Sequence, residues 1–348
     1  MHTIQRPYLL FLGDSPDMLS AKVARGIAEW RPDFCVGQIR LADCKADLGI
    51  RDLTLEAARD LGAKTLVVGV ANRGGIINET WIDTLVEALD LGFDVAAGLH
   101  NRLSEVATVS AAAAKNARKL FDVRHPTMEF PIANGKPRSG NRLLTVGTDC
   151  SVGKMYTALA IEKEMSSRGM DVDFRATGQT GILISGSGVS IDAVVSDFVA
   201  GAVETISPDN QADHWDVIEG QGSLFHASYA GVSLGLLHGS QADALLMCHE
   251  PTRTHIRGLE DYALPDMSDC LQMNLAAARL TNPKARFVGF SVNTSQMQQA
   301  VADDFLQGLE DRFELPAVDP LKHGVSKLVD KAIEGPGTPP DLTGRGND

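Results

Sequence analysis

One short segment constrains this chain more than any other feature of its sequence: the run Gly147–Lys154, which reads Gly-Thr-Asp-Cys-Ser-Val-Gly-Lys. The preceding run Arg142–Val146 predicts a strand, and a helical pattern follows over Lys154–Arg168. A strand, a turn bounded by glycines, a lysine and a helix, in this order, bring backbone N–H groups and a helix N-terminus around phosphate oxygens. The sequence therefore predicts a P-loop, and with it a small-molecule ligand that carries phosphate.

The predicted loop departs from the usual P-loop at two places. Five residues separate its glycines where four are usual, and Met155 stands where Ser or Thr normally coordinates Mg²⁺. Losing that hydroxyl removes a metal ligand but leaves the backbone anion site intact, and Thr157 is the nearby hydroxyl that could replace it. A protein that holds a pyrophosphate without needing Mg²⁺ is expected to look like this. The residues predicted to bind the cofactor are Gly147, Thr148, Asp149, Cys150, Ser151, Val152, Gly153, Lys154 and Met155.

The alternation of apolar strands and amphipathic helices predicts an α/β protein of two domains. A Rossmann-like N-terminal domain is expected over 1–130, a linker rich in Gly and Pro over 131–142, and a P-loop NTPase-like domain with a parallel sheet over 143–334. The tail 335–348 is expected to be flexible. The first strand ends at Gly13–Asp17, which lacks the Gly-x-Gly-x-x-Gly of a dinucleotide site, so no nicotinamide site is predicted there.

Composition excludes several classes of partner. With 32 basic and 45 acidic residues the formal net charge is −13, and no basic stripe interrupts it, so nucleic acid is not an expected partner. No apolar stretch approaches the length of a membrane span, and no signal peptide is recognisable, which predicts a cytoplasmic protein with no membrane partner. The five cysteines lie far apart, as reduced thiols do. A two-domain enzyme of this class is commonly a homo-oligomer, and we expect one here.

A carboxylate is predicted at the same sheet edge as the loop lysine. The segment Asp213–Leu224 contains a buried strand followed by Glu219 and a Gly-Gln-Gly sequence, and ligand crevices lie at the carboxyl ends of parallel strands. Glu219 is therefore expected to face the same rim as Lys154. A structural role, capping the following turn or pairing with Lys154, stays an alternative.

Two further segments carry groups that an anionic substrate needs. Arg175–Gly181 follows a predicted strand and offers guanidinium, hydroxyl and amide groups, whereas His249–Arg257 follows the strand Ala244–Cys248 and brings two arginines that could clamp carboxylates. The candidate substrate-binding residues are Arg175, Thr177, Gln179, Thr180, Gln221 and Arg253.

The loop resembles that of the dethiobiotin synthetase-like ATP-dependent enzymes, which read Gly-Thr-Asp-x-x-Val-Gly-Lys-Thr. A Glu-Gly-x-Gly segment serves metal or substrate in those enzymes, which by resemblance makes Glu219 a base or a ligand. An ATP- and Mg-dependent kinase or ligase is therefore one alternative for this chain.

A set of segments resembles a more specific family, the D-glutamate N-acetyltransferases, long catalogued as a domain of unknown function. The segments are Gly147–Met155, Thr177–Gly181, Glu219–Gly222, His238–Ala244 and His249–Pro251. The likeness covers nearly the whole chain, since that family also pairs a Rossmann-like domain with a P-loop-like one. Met after the loop lysine fits this family rather than the ATPases.

The resemblance implies transfer of an acetyl group from acetyl-CoA to the amino group of D-glutamate. CoA carries a pyrophosphate that suits the loop, and a thioester needs no metal, so no metal site is predicted. An amine attacks only when unprotonated, which requires a general base and donors for the oxyanion. Glu219 is the first candidate for the base and His249 the second. Backbone N–H groups of Gly220–Gly222 or the Gln221 amide are candidates for the oxyanion, and Arg253 or Arg175 for the substrate carboxylates.

Overall fold

The computed structural model describes residues 3–72 and 74–335. The chain divides into two compact units, the first made of Met1–Met128 and Gly178–Ala193 and the second of Glu129–Thr177 and Val194–Asp348. Both units combine a parallel sheet with helices, which confirms the predicted α/β class. Within the described residues, none of the helices is long and apolar enough to cross a bilayer.

The first unit is built on a five-stranded parallel sheet with the order β2-β1-β3-β4-β5. Strand β1 is buried along its whole length, as its continuous apolar sequence predicts. The strands are β1 Tyr8–Gly13, β2 Cys35–Arg40, β3 Thr65–Val68, β4 Asp94–Ala97 and β5 Leu120–Asp122. The helices are α1 Lys22–Trp30, α2 Leu55–Asp60, α3 Glu79–Asp90, α4 Ala107–Lys115 and α6 Gln179–Ser185, with 3₁₀ turns at Pro32–Phe34, Leu103–Glu105 and Ile191–Ala193.

A tryptophan covers the turn at which a Rossmann domain normally receives its dinucleotide. Gly13 has a φ of +55°, and a Cβ there would lie 2.7 Å from the Trp81 Nε1 atom. The same indole N–H donates to the Asp14 carboxylate at 2.8 Å. Close approach of a pyrophosphate to this turn would require Trp81 to move, which supports the prediction that no nicotinamide site lies here.

The second unit is built on a six-stranded parallel sheet with the order β13-β12-β9-β6-β8-β7. Its strands are β6 Asn141–Gly147, β7 Val172–Arg175, β8 Trp215–Ile218, β9 Ala244–His249, β12 Arg286–Val292 and β13 Ala317–Val318, and a separate antiparallel ribbon pairs β10 His255–Ile256 with β11 Leu259–Ala263. The helices are α5 Lys154–Ser167, α7 Val199–Ile206, α8 Ala230–Ser240, α9 Met267–Arg279, α10 Gln299–Phe313 and α11 Ser326–Ile333, with a 3₁₀ turn at Ser196–Phe198.

Strand order places a ligand crevice at the end of β6. The chain leaves β6 to build β7 and β8 on one side, and later builds β9, β12 and β13 on the other. Such a switch point is where open parallel sheets leave a crevice beyond the carboxyl ends of the strands. The loop that follows β6 lies at this point, between the ends of β8 and β9.

Several predicted elements differ from those observed. The sequence pattern of residues 15–30 predicts one helix, but the helix begins only at Lys22. The Ser15 hydroxyl donates to Leu12 O and Lys45 N donates to Ser15 O, which holds the preceding residues in a turn. The pattern of residues 192–205 likewise predicts one helix, which begins at Val199 after two 3₁₀ turns. Helices α4, α6 and α8 were not predicted.

The division of the chain into units also contains a feature absent from the predicted domains. The segment Gly178–Ala193 belongs to the first unit, although it lies within the predicted C-terminal domain. Helix α6 packs on α1 there, with Gly26 against Thr180 and Ile184. The second unit begins at Glu129, shortly before the predicted linker 131–142. Of the predicted flexible tail, residues 336–348 lie outside the described residues.

Candidate functional site

The loop after β6 forms an anion site from its backbone. Ser151 and Gly153 have positive φ values of 54° and 103°, and alternating backbone conformations of this kind turn successive N–H groups toward one point. The N–H groups of Ser151, Val152 and Gly153 donate to no acceptor within the described part of the chain. Helix α5 begins immediately afterwards, with no side-chain cap and no acidic residue in its first turn. Positive helix dipole and free donors therefore converge at one place.

Lys154 lies buried under this loop. Its ammonium donates to Asp149 O at 2.8 Å, and only 7% of the residue is exposed. Cβ atoms placed on Gly147 and Gly220 would lie 3.0 Å from its Nζ and Cδ respectively, so both glycines are needed to let the side chain pass between the ends of β6 and β8. Burial lowers the pKa of Lys154. An anion bound in the loop would restore the charged form.

Arg253, in the segment that follows β9, holds the loop in its conformation. Arg253 Nη1 donates to the Asp149 carboxylate and to Cys150 O, both at 2.6 Å, and Nη2 donates to Ser151 O at 2.8 Å. Its Nε donates to Glu250. The Asp149 carboxylate, which is fully buried, also accepts the Arg257 N–H at 2.8 Å. These contacts assign Arg253 to holding the loop, and its predicted role as a substrate ligand stays a prediction.

His249 lies at the end of β9, beside the first residue of the loop. Its Nδ1 lies 3.0 Å from the Thr148 hydroxyl, and its ring stacks on Phe305 at 5.8 Å between centroids. Burial lowers the pKa of His249 to about 4, so the imidazole is neutral at pH 7. Its Nε2 bonds to no described residue, yet it is not among the fully buried unpaired atoms. One nitrogen of a neutral imidazole is therefore left without a partner among the described residues.

Glu219 lies at the predicted sheet edge but is tied to the neighbouring strand. Its Oε2 accepts the Thr177 N–H at 2.9 Å, and its backbone carbonyl accepts the Thr177 hydroxyl at 2.6 Å. Only 4% of Glu219 is exposed. Holding Thr177 is a structural role of this carboxylate that differs from the two alternatives above, capping the following turn and pairing with Lys154. The catalytic role of Glu219 stays a prediction that these contacts do not favour.

The Gly-Gln-Gly turn after Glu219 leaves two backbone donors for a ligand. Gly220 N–H donates to the Thr145 hydroxyl at 2.9 Å, and the Gln221 side-chain amide donates to the Thr177 hydroxyl at 3.2 Å. The N–H groups of Gln221 and Gly222 donate to no acceptor within residues 3–72 and 74–335. A Cβ on Gly220 would lie 1.7 Å from Thr145 O, so the turn sits flat against β6.

The residue that follows the loop lysine has no side-chain hydroxyl for a metal. Met155 occupies the usual position of the Mg²⁺ ligand. The Thr157 hydroxyl, the expected substitute, is buried and bonds to Ser291 Oγ at 2.7 Å and to Gly153 O at 3.0 Å. It faces β12 in the core. Thr157 therefore does not replace the missing ligand.

The remaining predicted substrate residues lie in two other environments. Arg175 donates to Asp216 at 2.6 Å and contacts Asp173 at 2.9 Å, in a salt-bridge network with His214 between β7 and β8. Gln179 and Thr180 open helix α6 and belong to the first unit, where Gln179 packs on Gly98. The predicted roles of all three stay predictions.

Two residues that shape the loop escaped the sequence analysis. The Ser223 hydroxyl donates to Thr148 O at 3.1 Å, and the buried His226 donates through Nε2 to Arg257 O at 3.1 Å while its Nδ1 accepts Ser228 N–H. No sequence signal links these positions to the loop, because their partners lie tens of residues away.

Two groups of side chains in the described residues have the spacing of metal ligands. Asp149, Cys150 and His226 form one, and Asp173, His214 and Asp216 form the other. Both are engaged in protein contacts: Asp149 with two arginine N–H groups, and Asp216 with Arg175 and with Ser207 Oγ at 2.6 Å.

Known relatives place the chain in a family. Residues 39–126 match a family described as a domain of unknown function, DUF1611_N, Rossmann-like domain, and residues 131–329 match its partner, the DUF1611_C P-loop domain. The chain is 57% identical over 327 residues to a protein from Tritonibacter scottomollicae named D-glutamate N-acetyltransferase, covering 94% of this chain and 98% of the relative. The chain belongs to the D-glutamate N-acetyltransferase family. A protein of the same name from Pseudoalteromonas sp. is 49% identical over 326 residues, with the same coverage of both chains.

A solved structure supports the fold and both family assignments. The crystal structure of a DUF1611 family protein from Anabaena variabilis superposes with a TM-score of 0.80 at 28% identity, covering 95% of this chain and 100% of that one. The predicted pairing of a Rossmann-like domain with a P-loop domain is therefore confirmed, as is the resemblance noted from the sequence.

Proposed function

We propose that this chain is an N-acetyltransferase that moves the acetyl group of acetyl-CoA to the amino group of D-glutamate. The observation that carries the proposal is the match, at 57% identity over nearly the full length, to a protein named for that reaction. The loop geometry supports it, because a pyrophosphate needs the unpaired N–H groups of Ser151–Gly153 and the buried Lys154 charge.

The residues at the edge of the crevice support a mechanism for acetyl transfer. The substrate amine attacks the thioester carbonyl, the C–N bond forms, the C–S bond breaks, and CoA leaves as its thiolate. His249 takes the amine proton at Nε2, while its Nδ1–H donates to the Thr148 hydroxyl. The carboxylates of an acidic substrate nearby would raise the low pKa of this imidazole. CoA thiolate then accepts the proton.

Two backbone donors are suited to the oxyanion of the tetrahedral intermediate. The N–H groups of Gln221 and Gly222 belong to the glycine turn that follows Glu219 and packs against β6. No described residue accepts a hydrogen bond from them. Removing one donor from an oxyanion site typically costs about 2.7–4 kcal/mol of transition-state stabilisation. The proposal thus moves the base from Glu219 to His249 and keeps the oxyanion site within Gly220–Gly222.

The ATP- and Mg-dependent alternative lacks the usual side-chain ligand for Mg²⁺ after the loop lysine. Met155 offers no oxygen, and the Thr157 hydroxyl faces Ser291 in the core. Purified protein mixed with acetyl-CoA should release free CoA only when D-glutamate is added, and mass spectrometry should find N-acetylglutamate. ATP hydrolysis with Mg²⁺ and D-glutamate, in the absence of CoA release, would refute the acetyltransferase.

A further inference from the structure

An open depression lies on the segment that braces the P-loop. It has a volume of about 330 Å³, and its lining residues are Thr252, Arg253, Thr254, His255, Arg257 and Gly258. Gly258 has a φ of +78° and nothing within 4 Å of where a Cβ would stand, so this wall is open to a ligand.

The segment that lines the depression is joined to the loop by the backbone N–H of Arg257 and by the guanidinium of Arg253. Arg253 holds the carbonyls of Cys150 and Ser151, and Arg257 N–H donates to Asp149. The depression therefore adjoins the loop at its Cys150 and Ser151 carbonyl oxygens.

The two arginines differ in how their charge is compensated. Arg253 is paired with both Asp149 and Glu250. The exposed Arg257 guanidinium, by contrast, forms no hydrogen bond or ion pair with any residue that the structure describes. Its backbone is nevertheless fixed at both ends, since Arg257 O accepts the His226 Nε2–H at 3.1 Å and Arg257 N–H donates to the buried Asp149. In a chain of net charge −13, an anchored cation without a partner marks a place for an anion.

We infer that Arg257 and the depression around it bind the ribose phosphomonoester of CoA while the P-loop holds the pyrophosphate. This rests on the proposed function, and it identifies the feature of the acyl donor that the site reads. CoA carries its phosphomonoester on the same ribose that bears the pyrophosphate, so the two groups are held at a fixed short separation. A guanidinium matches a phosphate dianion through two parallel N–H···O bonds. ATP has no such branch.

The inference is tested by removing the phosphomonoester from the ligand and, separately, the Arg257 guanidinium from the protein. Dissociation constants of CoA and of 3′-dephospho-CoA would be measured by calorimetry for the wild-type protein and for Arg257→Gln. The wild type should bind dephospho-CoA about 10- to 100-fold more weakly than CoA, the range expected for a charge-assisted hydrogen-bonded pair. Arg257→Gln should bind both ligands with the same weak affinity. Lys284→Gln, which removes the same charge from another exposed position, should keep the wild-type ratio.

The outcomes separate this inference from the proposed function. If Arg257→Gln keeps the wild-type ratio, or weakens both ligands equally, the inference is wrong even when acetyl transfer to D-glutamate is observed. If the ratio collapses in Arg257→Gln but no acetyl transfer occurs with any acceptor, the phosphomonoester site stands and the proposed reaction is wrong. If the wild type binds neither ligand, both are wrong.

Discussion

A single buried ammonium connects the stability of this protein to its ligand. Lys154 is covered by the loop and contacts a backbone carbonyl, not a carboxylate. Because burial lowers its folded-state pKa below the ordinary value, the charged form costs stability at pH values below that pKa, and the cost falls as the pH rises from the lowered pKa toward the ordinary one. A bound pyrophosphate offsets the same cost.

Replacing this lysine should therefore stabilise the free protein and abolish donor binding. Lys154→Met is expected to raise the melting temperature without ligand and to remove the further rise that a thioether analogue of acetyl-CoA produces in the wild type. In the wild type, affinity for the analogue should fall with rising pH at a lower pH than the titration of an exposed lysine would cause, because burial lowers the pKa of Lys154. Thermal melts of both proteins measure the change in melting temperature, and calorimetry over a range of pH measures the affinity. Unchanged affinity in Lys154→Met would contradict the role of the loop.

Two residues at the rim compete for the role of general base, and their contacts predict different mutants. His249→Asn should reduce kcat by about 10²- to 10⁴-fold, the usual contribution of a general base. Glu219→Gln should change kcat by less than about tenfold but lower stability by roughly 1–3 kcal/mol, since the carboxylate holds Thr177 N–H in a buried site. Steady-state kinetics and thermal melts of both variants decide. The reverse pattern would restore Glu219 as the base.

The low pKa of His249 has a consequence for acid stability. Its folded value of about 4 lies below the ordinary 6.5, so the unfolded chain takes up a proton first as the pH falls. Stability should therefore decrease from about pH 6.5 toward pH 4, and His249→Asn should reduce that decrease. Urea titrations at pH 7 and pH 5 measure the difference. An equal loss in wild type and variant would show that His249 does not titrate as proposed.

At the scale of elements, the loop depends on a segment about a hundred residues away. Arg253 holds two loop carbonyls and the buried Asp149, so Arg253→Gln should weaken binding of acetyl-CoA and lower the melting temperature. Its KM for D-glutamate, measured at saturating acetyl-CoA, should stay close to the wild-type value. A selective rise in the D-glutamate KM would instead support the role predicted from the sequence, that of a clamp for the substrate carboxylates.

The glycine turn after β8 is a second element on which the site depends. A methyl group at Gly220 would meet Thr145 O at 1.7 Å, so Gly220→Ala should cost about 1–3 kcal/mol or more and reduce activity. Gly308→Ala, in the middle of α10 with nothing within 4 Å, is the matched control and should be neutral or stabilise by roughly 0.5–1 kcal/mol. Equal stability of the two variants would mean that the turn can move away from β6.

The sequence predicts those parts of the site that depend on local order. Strand, glycine turn and lysine are consecutive, so the loop and its place at the carboxyl end of β6 are readable directly. The contact of Arg253 with the loop cannot be predicted in this way, because Asp149 lies 104 positions earlier and only the fold brings the two residues together. Arg175 shows the same limit: its strand end was predicted correctly, but the side chain turns back to Asp216 on the neighbouring strand. Helix α6 has a sequence of glycines and hydroxyls that suggests a binding loop, although it forms a helix in the first unit.

At the scale of the whole molecule, the two parallel sheets differ in whether they leave room for a ligand. The first unit has the strand order β2-β1-β3-β4-β5 of a doubly wound sheet, but Trp81 covers the turn that a dinucleotide would approach. The second keeps its switch point open and places the P-loop, His249 and the Gly-Gln-Gly turn around it. The proposed chemistry therefore belongs to the second unit, and the P-loop holds a phosphate that is bound and not broken.

A crystal structure with acetyl-CoA tests this central claim most directly. Pyrophosphate oxygens should lie about 2.7–3.2 Å from the N–H nitrogens of Ser151, Val152 and Gly153, with Lys154 Nζ turned from Asp149 O to the phosphate. The thioester carbon should lie on the side of the crevice that holds His249. A pyrophosphate bound elsewhere, with the loop donors left to solvent, would contradict the account.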